Sequence, residues 1–341
     1  MTIRVLLGEV KLDKNEAHGI ADVDVLMATF NGENFVREQI QSIVGQTFSN
    51  WRLLVSDDGS SDKTIEIVNS EIAKDARISW ANHKSSHLGS YHNFLNLLRS
   101  SSASYSMFCD QDDVWNPDKI EVSLRKIQEL ENAFPSDPIM VFTDLEVVDE
   151  NLYTIFPSFD KMGGIDPDCT SIEELLYRPV APGCTIIINK QLRELVTSLL
   201  NEGGVEYHDW WVSLVASGLG HIGYVPVATI KYRQHNKNQV GAAKPSVVKS
   251  VVSTTVSSAK VDVLKSMLRA RECYQSFGGL LAEEDRRSLQ AYLSIPKTHG
   301  IGRLFLLKRA GIWKKGFVRK LGQALVTLTM SFPDEYDNAP A

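Results

Sequence analysis

The sequence predicts an α/β fold, a mostly parallel sheet flanked by helices, with a helical appendage at its C-terminal end. Short apolar runs alternate with segments of helical apolar spacing from Val23 to Thr143, the pattern of β-α-β units. Polar turns follow three of these runs, at Thr29–Gly32, Asp57–Asp62 and Asp110–Asp113. Such turns lie at the carboxyl ends of strands, where open α/β sheets bind ligands. From residue 246 to 331 the apolar residues keep a helical spacing throughout.

In chain order, Val23–Ala28 reads as a buried strand and Thr29–Gly32 as a turn. Val36, Ile40, Ile43 and Val44 then recur with a helical period. Trp51–Ser56 is a second strand, and Ser61 or Asp62 can cap a helix carrying Ile65, Ile67 and Val68. A weaker strand is expected near Ile78–Trp80, a helix over about Ser90–Leu98, and a strand at Tyr105–Cys109. Pro117 suits the first position of a helix running to about Asn132, and Ile139–Thr143 is a strand. Asn151–Thr170, with Pro157, Gly163, Gly164 and Pro167, reads as a long loop; such loops are uncommon unless functional. Thr185–Ile188 is a strand, Tyr207–Ser217 a helix stopped by Gly218 and Gly220, and His221–Tyr232 a last strand. The expected divisions are an N-terminal extension (1–20), a ligand-binding domain (21–245), a helical region (246–331) and a tail (332–341).

A chain of 341 residues can hold one large domain and an appendage. A net charge of -6 argues against a nucleic-acid binder. The charge is uneven: Gly300 to Gly322 holds seven Lys or Arg and no Asp or Glu. Cys109, Cys169, Cys184 and Cys273 show neither metal spacing nor a paired framework, as expected of reduced thiols in a cytosolic protein. The charged stretch Lys11–Glu16 is unlike a signal peptide, and no apolar run is long enough to predict a membrane-spanning helix.

Five constellations carry the chemistry. Asp110-Gln111-Asp112-Asp113 places three carboxylates after a buried strand, where they repel one another and are costly to desolvate. A hard divalent cation, Mg²⁺ or Mn²⁺, would relieve that cost and could hold a diphosphate; the alternative is a solvated acidic loop capping the next helix. If the strand continues, Asp110 and Asp112 share one side and Asp113 faces the other as a structural anchor. Ala28-Thr29-Phe30-Asn31-Gly32-Glu33 is either a ligand-binding turn or a plain strand-to-helix turn. Asp57-Asp58-Gly59-Ser60 either meets a base or ribose or forms an Asx turn, with Asp57 the better functional candidate. Glu206-Tyr207-His208-Asp209-Trp210-Trp211 offers a base, Asp209, and tryptophans on which a sugar could stack; otherwise it is a helix start with a core tryptophan. In Tyr232-Arg233-Gln234-His235-Asn236-Lys237-Asn238, His235 could ligate the same cation and Arg233 or Lys237 could neutralise a diphosphate, or the segment is a basic surface loop.

Thr29-Phe30-Asn31, Asp57-Asp58-Gly59-Ser60, Asp110-Gln111-Asp112-Asp113, His208-Asp209-Trp210-Trp211 and Tyr232-Arg233-Gln234-His235 together resemble family 2 glycosyltransferases. Within that family they resemble the bacterial rhamnosyltransferase-like branch, which builds surface polysaccharides. The resemblance spans about residues 21–241, in the family's motif order. It implies a GT-A fold, with a Rossmann-like nucleotide-binding half and an acceptor half. It implies inverting, Mg²⁺- or Mn²⁺-assisted transfer from a UDP- or dTDP-linked sugar to a hydroxyl of a glycan or lipid-linked acceptor. Carried over by residue, Ala28, Thr29, Asn31, Glu33, Asp57, Asn93, Asp110 and Gln111 would line the nucleotide site. Asp110, Asp112 and His235 would be metal ligands and Asp209 the catalytic base. Gly183, Cys184, His208, Trp210 and Arg233 would border the acceptor or diphosphate. Phe30 stands where the family usually has Tyr, and His208 where many members have Glu.

Two rival readings are weighed on the same residues. A nucleotidyltransferase would want a Gly-rich basic loop after the first strand, and Phe30-Asn31-Gly32-Glu33 is neither; a retaining transferase is not separated by spacing. Against a non-catalytic binding protein stand Asp112, Asp209 and His235, all present. In the tail, Leu304, Phe305, Leu307, Ile312, Trp313, Phe317, Leu321, Leu325 and Leu328 interleave with Lys308, Arg309, Lys314, Lys315, Arg319 and Lys320. That pattern suits either an anionic membrane surface, with the protein peripheral on the inner face of the cell membrane, or packing on the domain or a second copy.

Overall fold

A computed structural model describes residues 22–82, 87–163, 166–199, 207–235, 256–314 and 316–333. Expectations placed on 1–20, Gly164, Glu206, Asn236, Lys237, Asn238, Lys315 and 334–341 lie outside the described residues.

Among the described residues nine strands form one sheet: β1 (Val23–Thr29), β2 (Trp51–Asp57), β3 (Ile78–Asn82), β4 (Tyr105–Asp110), β5 (Val114–Trp115), β6 (Ile139–Val148), β7 (Thr154–Phe156), β8 (Ile186–Asn189) and β9 (His221–Arg233). Their order is β3-β2-β1-β4-β8-β6-β9-β5, with β7 beside β6. The first half, β3-β2-β1-β4, is parallel. Beyond β4 the sheet is mixed, because β8 runs antiparallel to both β4 and β6 while β9 is parallel to β6. The apolar runs read as strands because both faces are covered. In β1, Val23, Val25 and Met27 enter one core and Leu26 the other.

The covering helices are α1 (Val36–Val44), α2 (Thr64–Ile72), α3 (Gly89–Ser100), α4 (Lys119–Ala133), α5 (Phe159–Gly163), α6 (Ile172–Leu175), α7 (Lys190–Ser198) and α8 (His208–Leu219). Pro117 precedes the first turn of α4 rather than occupying it. The segment expected to be a loop at 151–170 holds β7 and α5. Neither has a strong pattern of its own. β7 exists by pairing with β6, and α5 begins where Asp144 Oδ1, on β6, accepts from Phe159 N at 3.1 Å and Asp160 N at 3.3 Å.

Helices α9 (Val256–Phe277), α10 (Glu283–Leu293), α11 (Gly302–Ala310) and α12 (Phe317–Thr329) follow among the described residues. Their inner residues, among them Met267, Phe277, Tyr292, Leu307 and Val326, share one core with Leu175, Trp210 and Trp211. Gly218 permits that approach, since a Cβ there would stand 2.7 Å from Leu281 Cδ2. Polar contacts add to it: Tyr177 and Tyr292 hydroxyls lie 2.6 Å apart, and Gln323 Nε2 donates to Tyr177 Oη at 2.8 Å. No helix among the described residues is long and apolar enough to cross a membrane.

Candidate active site

Parallel pairing brings the three polar turns to one sheet edge. Thr29 is in register with Asp57, and Ala28 with Asp110. The Thr29 hydroxyl donates to Asp57 Oδ1 at 2.8 Å, Ser60 Oγ donates to the same oxygen at 2.6 Å, and Gly59 N and Ser60 N donate to Oδ2 at 3.0 and 2.7 Å. Asp57 therefore makes the Asx turn itself. Asp58 reaches further, accepting from Leu88 N at 2.7 Å and Gly89 N at 2.9 Å at the start of α3. Asp62, of the two capping candidates, accepts from Thr64 N at 3.0 Å.

The first turn is sewn to the second. Asn31, in the left-handed region at φ 48°, donates its N–H to Ser60 Oγ at 2.8 Å and accepts from Ser61 N at 2.9 Å. Glu33 N donates to Asp62 Oδ2 and Lys63 N to Glu33 Oε2, each at 3.1 Å. Gln111 grips the Phe30 backbone with both ends of its amide, at 3.0 and 2.9 Å. That grip needs a glycine beside it, because a Cβ on Gly32 would lie 2.1 Å from Gln111 Oε1. Asn93 Nδ2 donates to Ser56 O at 2.9 Å. These side chains hold the loops in shape, so a nucleotide would meet them by sharing or exchanging such bonds.

The chain turns after Asp110 instead of continuing as a strand. The alternation expected for Asp110, Asp112 and Asp113 is therefore corrected. Asp113 is buried, and a carboxylate oxygen of it, a carboxylate oxygen of Asp110 and Cys184 Sγ lie within 4.8 Å of one another. Asp113 Oδ1 accepts from Arg233 N at 3.1 Å, while its Oδ2 has no hydrogen-bond partner. Asp112 Oδ2 instead lies 2.7 Å from His235 Nε2, and the His235 ring stacks on Phe35 at 4.8 Å. Burial, with the Asp112 and Asp209 charges, pushes Asp110 up to about 7. Burial drives Asp113 up as well, with Asp112 and Asp110 adding to it. Such mutual repulsion is what a hard cation relieves. Asp112 and His235, paired with each other, offer an oxygen and an imidazole to a cation, but among the described residues the ligand atoms that lie within 4.8 Å of one another are those of Asp110, Asp113 and Cys184. Burial holds the Cys184 thiol protonated, with the Asp113 and Asp110 charges adding to that.

Asp209 stands in the first turn of α8, where the helix dipole favours its charge. Its Oδ2 accepts from Gly183 N at 3.1 Å and its Oδ1 from Trp210 N at 2.7 Å. Burial nonetheless lifts it to about 6, and its charge is felt at Asp110, so base candidate and acidic turn share one space.

Four expectations around it need correction. His208 is buried against Phe94 at 3.9 Å and Phe108 at 4.8 Å, and burial lowers it to about 3, so it is a neutral ring in the core rather than an acceptor contact. Trp210 is 8% exposed, donates to Leu175 O and lies under the Arg269 guanidinium at 3.4 Å; with buried Trp211 it offers no sugar-stacking face. Cys184 is buried beneath the carboxylates. Arg233 is 3% exposed and its guanidinium braces the site, donating to Asp112 O at 2.9 Å, to Glu150 O and to Glu38. Phe35, Glu38 and Glu150 were invisible as site residues in the sequence, because only the tertiary fold brings them to Arg233 and His235.

Residues 24–170 match the family model for glycosyl transferase family 2. The chain is 29% identical over 226 residues to the dTDP-rhamnosyl transferase RfbG of Shigella flexneri, covering 63% of this chain and 74% of that one. It is 30% identical over 113 residues to the UDP-Glc:alpha-D-GlcNAc-diphosphoundecaprenol beta-1,3-glucosyltransferase WfgD of Escherichia coli, covering 30% of this chain and 39% of that protein. Among solved structures, S. aureus TarS 1-349 in complex with UDP superposes with a TM-score of 0.51 at 14% identity, covering 90% of each chain. The shared fold is the GT-A arrangement, a mixed sheet between helices.

Proposed function

We propose that this chain, which matches the glycosyl transferase family 2 model over residues 24–170, is a glycosyltransferase that transfers a sugar, with inversion, from a nucleotide-diphosphate donor to an acceptor hydroxyl. The observation that carries the reading is the convergence of Asp209, Asp110 and the Asp112–His235 pair on one edge of the sheet. In this reading residues 21–245 are catalytic and 246–331 are the appendage. The turns at Thr29–Glu33 and Asp57–Ser60 receive the base and ribose. Asp209 takes the proton of the attacking hydroxyl, and the Gly183 and Trp210 N–H groups hold its carboxylate in place. Asp110, Asp112 and His235 would hold Mg²⁺ or Mn²⁺, which supplies positive charge for the leaving diphosphate when bound. Arg233 holds the Asp112 turn from behind.

The name of RfbG favours a dTDP-linked deoxyhexose donor, and that of WfgD a lipid-diphosphate-linked acceptor, as in surface polysaccharide assembly on the inner side of a membrane. A thermal-shift screen of UDP- and dTDP-sugars with Mn²⁺, followed by transfer assays on the sugar that binds, tests the donor class. A product with the donor's own anomeric configuration would overturn inversion. Full activity in excess EDTA would overturn the cation.

A further inference from the structure

Helices α11 and α12 are apolar on two faces. Inward, Leu307, Ala310, Val326 and Met330 are buried in the shared core, and Arg303 donates to Thr298 O and Met330 O, each at 2.6 Å. Outward, Phe317, Leu321 and Leu325 repeat at four-residue spacing on α12 with Val318 beside them, and Ile301 and Phe305 do so along α11. Ile301 and Phe317 are each 82% exposed, Val318 70% and Phe305 68%. A helix packed on a core needs one apolar stripe, so the outer one has no use in the packing seen. Lys308, Arg309, Arg319 and Lys320 are exposed among these residues, and the sequence from Gly300 to Gly322 has no acidic residue.

We propose that this outer face docks the protein onto an anionic membrane surface. Apolar side chains would enter the headgroup boundary while the cations meet lipid phosphates. Charge decides between this partner and a second copy of the chain. A two-fold self-contact sets the same patch against itself, and here it would oppose cation to cation. The inference rests on exposure and charge alone, so it stands or falls separately from the transfer reaction.

Flotation of the full chain with vesicles tests it, using phosphatidylcholine alone or mixed with phosphatidylglycerol. The wild type should float with the mixed vesicles only, and high salt should release it. Phe317→Ser with Leu321→Ser, and separately Arg319→Glu with Lys320→Glu, should each lower the bound fraction roughly tenfold or more. Because all four side chains are exposed, both variants should keep the wild-type unfolding midpoint and nucleotide-induced thermal shift. No flotation of the wild type, or variants that float as it does, overturns the proposal. So does a wild-type dimer that these substitutions render monomeric without any vesicle binding.

Discussion

His235 Nε2 lies 2.7 Å from Asp112 Oδ2, tying the end of β9 to the turn after β4 across 123 positions of sequence. The imidazole is stacked on Phe35, and the neighbouring Arg233 donates to the Asp112 carbonyl at 2.9 Å. Both partners are thus positioned before any donor arrives, which lowers the ordering cost of binding.

Asp112→Asn and His235→Ala should each abolish Mn²⁺-dependent thermal stabilisation by UDP or dTDP. Sugar transfer should fall by about 10²-fold or more, the scale for losing a charge-stabilising group. Calorimetric titration of the nucleotide with and without Mn²⁺ separates the effects. A His235→Ala protein that binds the Mn²⁺-nucleotide as tightly as wild type would remove His235 from the ligand set.

Asp209 sets the expected pH profile. A general base works unprotonated, so kcat/KM should rise with pH up to about 6 and level off above it. Asp209→Asn should slow transfer by about 10²- to 10⁴-fold with nucleotide binding intact. Stability runs the other way. The folded value lies above the ordinary 3.8, so Asp209's contribution to stability is full below 3.8 and is lost as pH rises through about 6. Near neutral pH the Asn variant should therefore melt no lower than wild type, and a large drop in its midpoint would contradict a carboxylate whose charged form burial disfavours.

The strands and the acidic turns were legible because each is local. An apolar run covered on both faces looks the same wherever it packs, and Asp57 and Asp110 follow such runs directly. What failed depended on distant partners. β7 takes its form from β6, and Asp144 caps α5 from another element. Trp210 looked open to a sugar because α8 is apolar nearly all round, and its cover, Arg269, lies on α9. The inward turn of Asp113 follows from the chain leaving the strand at Asp110, which alternation along a strand does not foresee.

Gly183→Ala tests how tightly the base is framed. A Cβ there would lie 2.6 Å from His208 Nε2 and 3.5 Å from Asp209 Cβ. His208 cannot retreat, since Phe94 and Phe108 hold its ring. The substitution should cost about 1–3 kcal/mol of stability, the usual range for overpacking. It should also lower kcat by disturbing the Gly183 N–H bond to Asp209. Denaturant titration and steady-state rates check both, and a wild-type midpoint would mean that the frame is looser than the distances state.

Arg233→Lys separates bracing from charge. The guanidinium serves three acceptors at once, Asp112 O, Glu150 O and Glu38, from a planar fork that a single ammonium cannot reproduce. Lysine keeps the positive charge but should leave at least one of these acceptors poorly bonded, for a loss of about 1–3 kcal/mol. In the proposed reading Asp112 serves the donor's diphosphate, so the loosened turn should raise the KM for the donor more than it lowers kcat, Asp209 being held by other groups. If Arg233 instead neutralised the leaving diphosphate directly, kcat would fall and donor KM would hold. Steady-state kinetics of this one variant distinguishes the two roles.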